Sequence, residues 1–186
     1  DVQQGRARYD SVSRVGGTTA IAAGAVDEAQ AAAGYIATDG TDTLTGVNIG
    51  AVAQELCGVG TFSAFGATAC TTAQPGYYTV DASNNVLSSP WEGAVAEVQA
   101  AEGYFTVDSS GTATASGAVG VTQAQSGYYT VSSVGGTTAI AAGAVDEAQA
   151  QAGYFTIDSN GATNAGASNV QQAQSGYYTV SSVGGT

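Results

Sequence analysis

Apolar and polar positions along the chain fall into short recurring blocks. A representative block is Gly153-Tyr154-Phe155-Thr156-Ile157, where aromatic and β-branched residues follow a glycine; Asp158-Ser159-Asn160-Gly161 and then Ala162-Thr163 come next. Aromatic and β-branched residues fit a pleated strand, and Asp/Asn/Gly clusters interrupt one, so the block predicts strand, turn, strand. Asp39, Asp81, Asp108 and Asp158 each stand five residues after such a glycine. A carboxylate there accepts the backbone N–H groups that open a turn, and Gly111 and Gly161 supply positive φ. The second half of a block, such as residues 139–152, is rich in Ala. Around Val145-Asp146-Glu147-Ala148-Gln149 it predicts a loop or one short helix, which Gly143 and Gly153 limit to roughly two turns.

The blocks are a tandem array. A glycine followed by two mostly aromatic residues recurs at Gly34, Gly60, Gly76, Gly103, Gly127, Gly153 and Gly176, at spacings of 26, 16, 27, 24, 26 and 23. These module glycines divide the chain into 1–33, which starts degenerately at Tyr9, then 34–59, a short Cys-containing 60–75, 76–102, 103–126, 127–152 and 153–175; residues 176–186 open the next module. The string at 15–30 returns unchanged at 134–149, and residues 1–18 align without a gap on 169–186 at an offset of 168. The chain thus ends in the phase at which it begins. The expectation is a window of a longer array, or a unit joining its own copies head to tail, since a heterologous contact that does not close makes a filament. The expected fold is all-β, an elongated tandem array of small β-hairpin modules, with a β-solenoid as the alternative. Side chains alternate faces on a strand, so one aromatic per module packs into a repeated mini-core and its neighbour faces outward. The ladder comprises Tyr35, Phe62, Tyr77, Tyr78, Tyr104, Phe105, Tyr128, Tyr129, Tyr154, Phe155, Tyr177 and Tyr178.

Composition agrees with an array rather than one globule. Ala, Gly, Thr and Ser supply 102 of 186 residues, against 4 Phe, 1 Trp and 3 Leu, too few large side chains to fill a core of ordinary density. There is no His and no Lys, so the commonest proton shuttle, the commonest amine nucleophile and imidazole metal ligands are absent. The net charge of -12 excludes nucleic acid and anionic membranes as partners. Apolar runs such as 20–26 are short and interrupted by Gly, so no membrane span is expected. The first residues lack signal-peptide features, which reads as mature protein or a fragment. Neighbouring side chains diverge on either a strand or a helix, so Asp27-Glu28 and Asp146-Glu147 are not acid/base dyads and read as solvated charge. A turn with one carboxylate and one amide lacks the oxygens that Ca²⁺ needs. No catalytic residue, cofactor or metal site is predicted.

Residues 57–79 read C-G-V-G-T-F-S-A-F-G-A-T-A-C-T-T-A-Q-P-G-Y-Y-T. This resembles the cysteine-rich repeats of the ephrin-receptor-like and TNF-receptor-like families, akin to EGF-like hairpin modules, whose pattern is C-x-x-G-[TY]-[FY]-S-x-x-G-x-x-x-C-x-x-C-x-x-G-[YT]-[YF]. Cys57 and Cys70 are in register and the third position is Ala73; the close match covers about one eighth of the chain. Three residues before each module glycine stand Ala31, Cys57, Ala73, Ala100, Ala124, Ala150 and Ala173. Nine before stand Ala25, Ala51, Ala67, Ala94, Ala118, Ala144 and Ala167. The resemblance implies that Cys57 and Cys70 form a disulfide. It also implies that Ala25, Ala31, Ala73, Ala94, Ala100, Ala118, Ala124, Ala144, Ala150, Ala167 and Ala173 hold half-cystine positions, with Ala standing where the family has Cys. The competing reading of both columns is a close backbone approach that admits only a small residue.

A module of roughly 24 residues is below the ~40 at which chains need staples or association to fold. The resemblance implies an extracellular, oxidising setting. No Asn has Ser or Thr two residues on, so N-glycosylation is not expected, while 39 Ser and Thr leave room for O-linked glycans. The functional expectation is a non-enzymatic structural subunit of an extracellular filament or surface appendage, similar in kind to the EGF-like arrays of flagellar hairs. Its alternative is an extracellular adhesin or glycan-binding repeat module.

Overall fold

The computed structural model describes residues 9–12, 27–38 and 51–184. Among these residues the chain is all-β, with no helix. Small antiparallel sheets follow one another in series and none closes into a barrel. Strand β1 (Tyr9–Val12) pairs with β2 (Asp27–Gln30), β3 (Tyr35–Thr38) with β4 (Ala53–Leu56), and β5 (Thr61–Phe62) with β6 (Thr71–Thr72). Strand β7 (Tyr77–Val80) pairs with β8 (Ala96–Gln99), β9 (Tyr104–Val107) with β10 (Gly120–Gln123), and β11 (Tyr128–Val131) with β12 (Asp146–Gln149). Strand β13 (Tyr154–Asp158) lies between β14 (Gly161–Ala162) and β15 (Asn169–Gln172).

The first strand of each hairpin from β3 onward starts one residue after a module glycine, on the aromatic and β-branched run. Its register repeats as well: Tyr9, Tyr104, Tyr128 and Tyr154 lie opposite Gln30, Gln123, Gln149 and Gln172. Directly opposed side chains pack across the pair, which fixes the pairing from one module to the next. The residues just past the turn contribute less. Gly161–Ala162 forms a short strand, but Val80, Val107 and Val131 meet that segment only through single bridges to Val86, Ala113 and Ala139.

The loop or short helix expected around residues 145–149 is corrected: Asp146–Gln149 is strand β12. Two helical turns carry the full nucleation cost for few hydrogen bonds. As a strand, the same segment satisfies the N–H and C=O groups that β11 would otherwise leave unpaired.

The turns follow the carboxylates. Asp81 Oδ1 accepts the N–H groups of Ser83 (2.8 Å) and Asn85 (2.9 Å). Asp108 Oδ1 accepts those of Ser110 (2.8 Å) and Thr112 (3.0 Å), and Asp158 Oδ1 that of Asn160 (2.7 Å). Gly111 and Gly161 have φ of +83° and +120°. Asp39 lies outside the described residues.

The chain forms two compact units, Asp1–Thr72 with Thr79–Ala96, and Ala73–Tyr78 with Glu97–Thr186. The first has a small core of Ala31, Ala37 and Ala51. The second has two clusters, Phe105, Val107 and Ala144 with Ala113 and Ile140 against them, and Tyr129, Val131 and Ala167 with Ala139, Ala148 and Val170. Each of these two clusters is built by two modules, because Ala144 and Ala167 come from the module after the one that supplies the aromatic ring.

Close approach of backbones gives a test. Gly103 has φ +78°, and a Cβ there would run into the carbonyl of Gly166; Gly111 has φ +83° with open space around it. Gly111→Ala is expected to cost about 1–2 kcal/mol for the left-handed backbone alone. Gly103→Ala should cost at least twice as much, because two backbone segments must also separate. Urea unfolding of the two variants measures the difference.

Candidate functional site

The surface that recurs along the chain is the seam between consecutive modules. At four seams the second position of a first strand runs parallel to an Ala of the following module: Phe62 with Ala94, Tyr78 with Ala118, Phe105 with Ala144, Tyr129 with Ala167. The next residue donates its N–H to that Ala, from Ser63 to Ala94 (3.1 Å), Thr106 to Ala144 (3.0 Å) and Thr130 to Ala167 (2.9 Å). The residue before that Ala is a glycine, which reaches back to the other Ala column. Gly66, Gly93, Gly117, Gly143 and Gly166 donate to the carbonyls of Ala31, Cys57, Ala73, Ala100 and Ala124 at 2.8–3.0 Å.

These bonds place the two small-residue columns. Nine residues before the module glycines, Ala51, Ala94, Ala118, Ala144 and Ala167 are fully buried and Ala67 is half-buried; Ala25 lies outside the described residues. Three residues before, Ala31, Cys57, Ala73, Ala100 and Ala124 are buried, while Ala150 and Ala173 are half-buried. A methyl group fills the space left when two backbones approach to hydrogen-bonding distance, so both columns have a structural reason to be small.

Cys57 and Cys70 form a disulfide with a Cα–Cα distance of 5.6 Å. Cys70 stands six residues before a module glycine, and Gln54, Glu97 and Glu147, at the same position in other modules, tie a turn by hydrogen bonds. Glu97 accepts the backbone N–H of Gln74 (2.8 Å) and its Nε2 (3.0 Å), Glu147 does the same to Gln125 (2.7 and 2.9 Å), and Gln54 accepts the N–H of Ala32 (2.9 Å). Asp146 accepts the N–H of Gly135 (2.8 Å). The Asp146-Glu147 pair read as solvated charge is therefore engaged on both residues, each with its own partner.

The aromatic ladder alternates at Tyr104–Phe105, Tyr128–Tyr129 and Tyr154–Phe155, where the second residue is the more buried, but not at Tyr77–Tyr78 or Tyr177–Tyr178. Ile36, Phe105 (7% exposed) and Tyr129 (7%) point inward, and the Tyr129 hydroxyl donates to Thr137 O (3.0 Å). Tyr35, Tyr77, Tyr78, Tyr128, Phe62 and Phe155 are half-buried, and Tyr104 and Tyr154 are exposed. Tyr177 and Tyr178 are 74% and 77% exposed.

Two sets of residues escaped the sequence reading. One is the glycine column ten residues before each module glycine, which donates to the seam. The other is the hydroxyl three residues after it: Ser63, Thr106, Thr130 and Thr156 are buried and donate to the carbonyls of Tyr35, Thr114, Ile140 and Thr163 at 2.7–2.9 Å. Both were visible in the register that revealed the Ala columns.

Three half-buried carboxylates are held below the ordinary range. The Ser168 hydroxyl (2.6 Å) acts first on Glu102, which also accepts the Ser159 N–H (2.8 Å). Asp108 is lowered by the Ser110 hydroxyl and then the Thr112 N–H, and Asp81 by the N–H groups of Asn85 and Ser83. Among the described residues no three His, Cys, Asp or Glu side chains gather as metal ligands would. A cleft of about 500 Å³ is lined in part by Tyr154, Phe155, Asn164 and Tyr178.

Two outcomes follow from these ties. Replacing Cys57 and Cys70 together by Ser is expected to destabilise the first unit by up to about 3 kcal/mol, read from its denaturant midpoint. The lowered carboxylates contribute stability that is present above their unfolded values and lost as pH falls through the folded ones. Stability should therefore drop below about pH 5, and Glu102→Gln should flatten that drop when unfolding free energy is measured against pH.

No protein-family model, no curated protein and no solved structure matches the chain.

Proposed function

We propose that the chain is a structural, non-enzymatic subunit of an extracellular filament or surface appendage, assembled from copies of itself head to tail. One observation carries the reading: successive modules join through main-chain groups at fixed glycine and alanine columns, so a module from another copy with the same columns can be received in the same way. The disulfide suits an oxidising compartment, and among the described residues no helix is long and apolar enough to cross a membrane. The resemblance to cysteine-rich, EGF-like repeats points the same way, and the surface Ser and Thr suit O-linked glycans. The carboxylates support a scaffold, since Asp81, Asp108, Glu97, Glu102 and Glu147 are spent on holding turns and seams.

The cleft beside Tyr154 and Tyr178 favours a second reading, an adhesin that stacks sugars on aromatic rings. Electron microscopy of the purified chain separates the two. Regular fibres are expected; monomers that bind a glycan array would support the adhesin, and turnover of a glycosidic substrate would overturn both.

A further inference from the structure

One seam carries a covalent bond where others carry a hydrogen bond. Gln54, Glu97 and Glu147 accept the N–H groups of Ala32, Gln74 and Gln125 at 2.7–2.9 Å. Each of those N–H groups follows an Ala that stands three residues before a module glycine: Ala31, Ala73 and Ala124. Cys57 and Cys70 hold the same two positions. The strand register confirms the match, since Tyr35↔Leu56, Thr61↔Thr72 and Tyr128↔Gln149 all pair the residue after one module glycine with the residue four before the next. Gly58 therefore takes the place of Ala32, Gln74 and Gln125. Sulfur is a weak acceptor, so a reduced Cys70 cannot replace the carboxylate or amide oxygen that ties the other turns.

The main chain of Cys57 is part of the same seam. Its N–H donates to Gly34 O (2.9 Å), and its carbonyl accepts the N–H of Gly93 (2.8 Å). The two sulfurs differ in access. Cys57 is fully buried, whereas Cys70 is half-buried and lines an open cleft of about 880 Å³ together with Gly58, Thr61 and Thr68. Thiol–disulfide exchange begins with attack of a thiolate on one of the two sulfurs, and its rate depends on access.

We propose that the Cys57–Cys70 disulfide is a thiol-exchange site, modified first at Cys70 by a small-molecule thiol that enters this cleft, and that its opening loosens one seam alone. The thiolate attacks Cys70 Sγ, the Cys57–Cys70 bond breaks, and Cys57 Sγ takes the electron pair and then a proton. A second thiol attacks the mixed disulfide, releases Cys70 as a thiol and leaves as the small disulfide. Two thiols are oxidised and the protein disulfide is reduced; the small disulfide drives the reverse reaction. With the bond open, the turn at Gly58 has neither tie, and the seam that Cys57 makes with Gly34 and Gly93 loosens. The seams of Gly143 and Gly166 hold no sulfur and keep their bonds.

The test uses the full chain with cysteamine as the thiol. Mass spectrometry of the acid-quenched reaction should find the first cysteamine adduct on Cys70. After full reduction, amide exchange at Cys57 and Gly93 should be at least about ten-fold faster, with Gly143 and Gly166 unchanged. The double variant Cys57→Ala, Cys70→Glu installs the tie used by the other seams. Its Gly93 should be protected as in the oxidised chain and should not respond to cysteamine, whereas Cys57→Ala with Cys70→Ala should resemble the reduced chain. A first adduct on Cys57, or no reaction of the folded chain, would overturn the site. Unchanged exchange at Gly93 on reduction, or equal acceleration at Gly143 and Gly166, would overturn the loosening of a single seam.

Discussion

A module of this chain is too small to bury its own apolar residues, and the main-chain hydrogen bonds between modules answer that constraint. A two-stranded hairpin is marginal in water by itself. Here the inward-facing ring of one module is covered by the backbone and Cβ of an Ala from the next, as Phe105 is by Ala144 and Tyr129 by Ala167. Burying an aromatic side chain is worth roughly 1.5–3 kcal/mol, which a lone hairpin cannot collect because its second face is open. Contact at that range is attainable only if the approaching residues are small. Glycine ten residues before the module glycine, Ala nine before and Ala three before are one requirement expressed at three positions.

The polar residues follow from the same geometry. Drawing backbones together buries hydroxyls and carbonyls, and the column of Ser63, Thr106, Thr130 and Thr156 pairs them. At three seams the turn leaves an N–H at its outer edge, which Glu97, Glu147 or Gln54 takes up, and where Cys70 stands at that position a covalent bond to Cys57 ties the turn. An acidic chain with few cations is compatible with this use of charge, because the carboxylates accept from N–H and O–H groups and need no basic partner.

Much of the hairpin plan was legible in the sequence, because strand formers after glycine and Asp at the turn are local signals. The β12 segment was not. Asp, Glu, Ala and Gln in succession carry no strand propensity, and only the need of β11 for a partner makes them a strand. The acidic pair was misread for a related reason: the turn that Glu147 holds lies 22 residues earlier, at Gln125. The Ala columns were conspicuous as a pattern, yet an Ala side chain bears no mark of its neighbour. Cys57 and Cys70 stood out because sulfur chemistry leaves few alternatives, and the pair is bonded.

Amide hydrogen exchange, read residue by residue, reaches the central claim most directly. If the seams hold the fold, the N–H groups of Ser63, Gly93, Thr106, Thr130, Gly143 and Gly166, which bond between modules, will be protected as strongly as those inside the hairpins. Rapid exchange at these six positions beside slow exchange within the hairpins would contradict it, and would mean that each hairpin stands without its neighbours.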